Sequence, residues 1–555
     1  MESLELIVAV AAAVLVAGWL ARRAGLSEPL LLLGAGCLMG LTAPFDDITL
    51  APEVVLLLFL PALLYWEALT SSVREIRHNL RSIALQSTVL VLVTALAVAV
   101  VAHAFGYLWP IALVLGAVLA PTDAAAVAAV ARAMPRRILT VLRTESLLND
   151  GTALVLLAVT IEVVSEDAPF SWAGTSLRFV ESYAGGIAIG VAVALLLKWV
   201  RRRLNDPLLH SVLSVATPFF AFLPAELVHV SGVLAVVTCG LVSSRYGPRV
   251  ISPDARVQAT AFWEVTSHLL NSALFVLVGV QMPAAVRALT STDLLQAVAV
   301  ATAVSAAVIG SRFLWFYTVP YAVRFVDRRP VQKGRRIGAA QRLPLAWAGM
   351  RGAISLAAAL TVPAVTADGR PVAHRDAVVF ITVVVIVITL TVLGPTLPAV
   401  VRRARFAADE EQAAESVLAH QHLSAAALRE LPALARRYAV DPSTVAHLER
   451  DISDRVAGSA DAARRSRGTH QLETALLRVK RQALTELRDA GRIDDIVLRS
   501  VQDVLDAEDM RLSLKASRMP TTAGTATPDR DRRDREGSVR TGQAADRGLR
   551  EGDAR

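Results

Sequence analysis

Apolar stretches long enough to cross a bilayer recur along the first 400 residues, and this recurrence constrains the fold more than any other property of the chain. A transmembrane helix needs roughly 20 consecutive, mostly apolar residues. Such runs lie near 3–21, 28–44, 52–70, 82–105, 109–131, 142–165, 180–200, 207–226, 230–244, 257–282, 293–320, 343–366 and 375–401. The sequence therefore predicts an all-α polytopic membrane protein of about 13 spans. Composition agrees: 54% of residues are hydrophobic and 19% charged, whereas a soluble protein has an apolar share of roughly 45–50%. Charge is sparse before residue 405 and dense after it. This predicts a membrane domain over 1–405, a cytoplasmic helical domain over 406–515, and a disordered tail over 516–555, where large apolar residues run out.

The basic residues fall in alternate loops. Arg22 and Arg23 follow the first run, Arg132, Arg136 and Arg137 the fifth, Arg201 to Arg203 the seventh, and Arg402, Arg403 and Arg405 the last. The intervening loops carry Asp46, Asp47, Glu166 and Asp167 instead. The positive-inside rule then predicts an external N-terminus and a cytoplasmic C-terminus. The net charge of +8 is absorbed by this topology signal and does not argue for nucleic-acid binding. Cys37 and Cys239 lie in apolar runs and suggest neither a disulfide framework nor a metal motif. The first run lacks a basic n-region and reads as a retained span.

Two spans look broken. The fifth carries Ala120-Pro121-Thr122-Asp123, and the twelfth carries Gly349-Met350-Arg351-Gly352-Ala353. Proline removes an intrahelical hydrogen bond, and paired glycines weaken a helix. Non-helical backbone at membrane depth is tolerated only inside protein or beside a cavity. Interrupted helices at corresponding positions of two halves point to a transporter binding site. The two breaks are seven spans apart, so spans one to six and eight to thirteen would be inverted repeats.

Between the breaks lies the most polar segment of the membrane half, Thr144-Glu145-Ser146-Leu147-Leu148-Asn149-Asp150-Gly151. On a helix Ser146 and Asp150 share one face, and Glu145 and Asn149 a neighbouring one. A carboxylate at the bilayer centre costs about 2.5–3.5 kcal/mol on insertion scales. Asp150 is the leading candidate: out of water, a carboxylate holds a proton or a small hard cation, not both. Thr122, Asp123 and Ser146 offer further oxygens, although the hydroxyls could equally bond backbone carbonyls and Asp123 could cap a half-helix. Arg351 needs a partner, and Glu145 is the simplest one. Glu67, near the cytoplasmic end of the third span, could line an access route or sit at the interface.

These motifs occur in chain order: Phe59-Leu60-Pro61 with Glu67, Pro121-Thr122-Asp123, Glu145 to Gly151, Glu226 with Ser231-Gly232-Val233, Phe262-Trp263-Glu264 with Asn271, and Gly349 to Ala353. In this the chain resembles the monovalent cation:proton antiporter-1 family, the sodium/proton exchangers, over roughly residues 1–400. The resemblance implies a thirteen-helix antiporter with crossed broken helices, a homodimer, and alternating access by a core moving against a dimer domain. It implies that Asp150 carries proton and cation in turn, that Thr122, Ser146 and Glu67 complete the Na+ site, that Asp123 stabilises the crossing, and that Glu145 pairs with Arg351. Asn149 preceding Asp150 resembles the electroneutral branch. The three alanines after Asp123 depart from the family pattern.

The expected function is plasma-membrane exchange of cytoplasmic Na+, with Li+ and K+ as further cargo, for external H+ in pH and sodium homeostasis. A potassium-preferring exchanger of the same fold is the close alternative. An intramembrane aspartyl protease using Asp123 and Asp150 is a remote one. No cofactor is expected beyond the transported ions, and no motif identifies a ligand for the tail.

Overall fold

A computed structural model of the chain describes residues 2–24, 27–42, 54–124, 126–127, 134, 136–166, 172–204, 206–289, 291–326, 338–363, 365, 372, 374–406, 410–457 and 467–517. Its elements are all helical, with no strand among the described residues. In order they are α1 (Glu2–Ala24), α2 (Glu28–Gly40), a π-helical turn (Val55–Phe59) leading into α3 (Leu60–Thr70), and α4 (Val73–Ala84), which runs through a second π turn (Leu85–Leu90) into α5 (Val91–Ala104). Then come α6 (Trp109–Leu119), α7 (Arg136–Glu166), α8 (Trp172–Arg201), α9 (Pro207–Leu227), α10 (Gly232–Val250), α11 (Pro253–Arg287) and α12 (Ser291–Val326). The short α13 (Ala339–Trp347) and α14 (Ala353–Leu360) precede the long α15 (Arg375–Ala404).

Eight helical stretches among the described residues are long and apolar enough to cross a membrane, and Glu28–Gly40, Val55–Thr70 and Trp109–Leu119 are shorter apolar helices. Each of the thirteen predicted runs contains helix, but length and composition alone qualify eight. The predicted fourth run starts late. Its helix begins at Val73, because Ser72 caps it by accepting the Glu75 amide. The same device starts α9 at Asp206, α10 at Ser231 and α11 at Ser252, with proline in the first turn of α9 and α11. A side-chain oxygen there satisfies an amide that the helix cannot, and proline lacks the orphan N–H altogether.

The membrane helices pack as two halves. One gathers α4 to α7 and α12 to α15; the other gathers α1 to α3 and α8 to α11. The first half draws three consecutive spans from each predicted repeat. Close packing in the second rests on small residues. A Cβ on Gly36 would overlap the Val276 carbonyl, and one on Gly279 the Leu33 carbonyl, so α2 and α11 meet backbone to backbone. Lipid offers helices no hydrophobic drive to associate, and close van der Waals approach replaces it.

After α15 come α16 (Glu410–Arg437), α17 (Pro442–Ala457), α18 (Arg467–Asp489) and α19 (Asp495–Ser517). They enclose their own apolar clusters, one around Leu423, Leu484, Val497 and Val501 and one around Leu431, Leu448, Leu472 and Leu476. α19 packs against α11 and α18, which brings these helices onto the membrane domain. Helix continues through Ser517. The rest of the stretch expected to be disordered, from 518 to 555, lies outside the described residues.

Candidate functional site

The two sequence breaks meet. α6 ends at Leu119, Pro121 to Asp123 leave helical geometry, and helix resumes at Ala124. Residues 348–352 likewise separate α13 from α14. The Asp123 amide donates to the Met350 carbonyl at 2.9 Å, tying one break to the other. Breaking two helices exposes four half-helix ends with unpaired amides or carbonyls and a partial charge at each. Two side chains answer them. The Asp123 carboxylate accepts the Ala126 amide at 3.2 Å and lies where a Cβ on Gly352 would stand, at the start of α14. The Arg351 guanidinium donates to the carbonyls of Leu119 at 2.8 Å, Ala120 at 3.4 Å and Gly349 at 2.7 Å. Negative charge thus sits at amide ends and positive charge at carbonyl ends.

This placement corrects one expectation. Glu145 does not take its ion pair from Arg351. Arg312 of α12 reaches it instead, with nitrogen–oxygen distances of 2.6 and 3.3 Å, and also donates to the Leu345 carbonyl at 3.0 Å. The physical reason is that Arg351 finds its partners in the orphan carbonyls of the broken helices. The Glu145–Arg312 pair is 1% and 3% exposed, so neither charge has recourse to water. The sequence signal for Arg312 is a lone arginine inside an apolar run.

Beside the crossing, α7 presents its polar face. Ser146 Oγ donates to the Thr122 carbonyl at 2.8 Å and accepts the Ala124 amide at 3.1 Å. Asn149 Nδ2 donates to Thr122 Oγ1 at 2.8 Å, while its Oδ1 is buried without a partner. Asp150 is 3% exposed and accepts no hydrogen bond among the described residues. Glu67 and Asp123 lie within electrostatic range of Asp150, and Arg143 and Asp123 within that of Glu67. Three carboxylates therefore converge with one arginine near them, while Arg351 and Arg312 are committed elsewhere. Such a set favours binding of a proton or a hard monovalent cation.

Other polar residues of the bundle hold the scaffold. Glu226 accepts the Gly232 amide at 3.1 Å and Ser231 accepts the Leu234 amide at 3.3 Å, so both cap α10. His268 pairs with Glu28 at 3.5 Å across α11 and α2, and Trp263 donates to Ser214 at 3.1 Å.

Helices broken at two corresponding places, crossed at an acidic cluster inside a polytopic bundle, define a secondary ion transporter. The family of transmembrane sodium/hydrogen exchangers matches residues 10–403, and the chain belongs to that family. It is 45% identical over 520 residues to an uncharacterised Na+/H+ exchanger of Mycobacterium tuberculosis, covering 92% of this chain and 96% of the relative. It is 29% identical over 402 residues to a Na+/H+ antiporter of Aphanothece halophytica, covering 69% and 74% of the two chains. The sodium proton antiporter MjNhaP1 of Methanocaldococcus jannaschii superposes with a TM-score of 0.57 at 18% identity, covering 73% of this chain and all of that one, which is a likeness of fold.

Proposed function

We propose that the protein is a plasma-membrane antiporter that exports Na+ in exchange for H+ through competition at Asp150. The observation that carries this reading is a buried carboxylate, Asp150, with no hydrogen-bond partner among the described residues, one helical turn from Ser146, whose Oγ donates to the Thr122 carbonyl. Ser146 and the Thr122 carbonyl would contribute neutral oxygens to the ion, Glu67 would guide it from the cytoplasmic side, and Asn149 orients Thr122. Asp123 and Arg351 hold the crossing, and Glu145 with Arg312 anchors α7 to α12. A cation leaving Asp150 strands a buried carboxylate, which must take up a proton before the site can close again. Occupancy by one ion or the other then permits movement of the half containing α7 against the half containing α3. One charge traded for one proton makes the cycle electroneutral.

The outward N-terminus, the cytoplasmic tail, the homodimer, and the use of Li+ or K+ belong to this reading. The oxygen set gives no reason to prefer K+ over Na+. The protease alternative has little to rest on, because Asp123 is engaged in the crossing. Proteoliposomes carrying a pH-sensitive dye test the assignment. Asp150→Asn is expected to insert normally and to abolish Na+-driven proton flux, and normal flux in that variant would refute it.

A further inference from the structure

The cytoplasmic helices reach the membrane domain at one corner, where α3 of one half turns into α4 of the other. Two kinds of helix end meet there. α3 leaves its last four carbonyls without intrahelical partners. The Glu67 carbonyl accepts from Ser71 Oγ at 2.7 Å and Thr70 Oγ1 at 3.2 Å, and the Ala68 carbonyl accepts the Ser71 amide at 3.2 Å. The remaining two, at Leu69 and Thr70, accept from the guanidinium of Arg499 on α19, the former at 3.3 Å. At the start of α4, Ser72 Oγ satisfies the Glu75 amide. The amides of Val73 and Arg74 donate to Asp495 Oδ2 at 3.0 and 3.4 Å, and Ser72 Oγ donates to Asp494. Arginine at a carbonyl end and aspartate at an amide end both complement the helix dipole.

Further pairs fix the tail in this place. Arg256 of α11 binds Asp506 through two nitrogens at 2.9 and 3.1 Å, Arg74 binds Glu415 at 2.9 Å, and Arg488 donates to the Arg245 carbonyl at 2.8 Å. The contact is thus a built interface, and its centre touches the turn that carries Glu67.

We propose that Arg499 is a positioning residue for Glu67, and that the cytoplasmic helices form a clamp setting the geometry of the corner between the two halves. The connection is short. Arg499 holds the Leu69 and Thr70 carbonyls, the adjoining Ser71 donates its Oγ to the Glu67 carbonyl at 2.7 Å, and Glu67 lies within electrostatic range of Asp150. The inference rests on the reading that Glu67 serves the cation. It assigns to the tail a direct effect on cation affinity, exerted from outside the membrane.

The test uses the full-length chain in proteoliposomes, with Na+ as the only alkali cation. Arg499→Ala is expected to raise the Na+ KM about threefold or more while the maximal rate stays within about twofold, and Arg499→Lys to recover part of the loss. Sodium-dependent thermal stabilisation reports affinity in variants too slow to assay. In a Glu67→Gln background the Arg499→Ala shift is expected to shrink to less than about 1.5-fold, because residues acting through one another are not additive. An unchanged affinity in Arg499→Ala, or an equal shift in both backgrounds, would overturn the proposal. Asp495→Asn provides the same comparison should Arg499→Ala fail to fold. If Glu67→Gln alone left Na+ affinity unchanged, the underlying role of Glu67 would fail instead, and the two failures are told apart by that single variant.

Discussion

Three buried charges, Glu145, Arg312 and Arg351, show how a membrane interior handles ionised groups. Removing one member of a buried pair strands the other and costs about 3–5 kcal/mol, whereas replacing both by apolar residues of similar volume is far milder. Arg312→Ala is therefore expected to lower the thermal unfolding temperature in detergent sharply, and Glu145→Leu with Arg312→Met to recover much of the loss. A double variant as unstable as the single one would show that the pair does more than neutralise charge. That Glu145 and Arg351 are buried and need partners was legible from their position in apolar runs. Which partners they take was not, because sequence spacing does not report which helix lies alongside. The burial of Asp150, Ser146 and Thr122 near one another was legible for a different reason: their oxygens share one helical face or flank a proline break, and geometry at that range is local.

At the level of helices, close contacts and caps decide what substitution is tolerated. Gly36 and Gly34 both lie on α2, but a Cβ at Gly36 would strike backbone whereas one at Gly34 meets nothing within 4 Å. Gly36→Ala should cost about 1–3 kcal/mol, the usual cost of overpacking, while Gly34→Ala should change unfolding by no more than about 0.5 kcal/mol. Equal effects would argue against the α2–α11 contact. In the tail, Asp441 caps α17 by accepting from Ser443, Thr444 and the Thr444 amide, and these bonds hold its carboxyl well below the ordinary carboxylate range. A lowered folded-state pKa gives stability that is present above the unfolded value and lost as pH falls through the folded one. Asp441→Ala should therefore lower the melting temperature of the tail at neutral pH, with the difference narrowing below about pH 4. A difference constant down to the strongest acid would contradict the cap. Both helix breaks were legible from proline and paired glycines. The start of α4 was not, since residues 73–84 are too polar for a run-based reading and a serine cap begins the helix early.

For the whole molecule, α7 packs against helices of both halves, and α19 contacts the α3–α4 corner where the two halves join. That the two breaks belong together was legible because they recur seven spans apart, and the Asp123 amide joins them through the Met350 carbonyl. The docking of the tail was not, since ion pairs between distant segments leave no trace in local pattern. The central claim is that proton and cation exclude one another at Asp150. Calorimetry of Na+ binding to the purified protein, in buffers of different ionisation enthalpy across a range of pH, tests it most directly. The expected result is that Na+ uptake releases protons, binds more weakly as the solution is acidified, and loses both features in Asp150→Asn. Binding that released no proton and kept the same affinity at every pH would contradict the account.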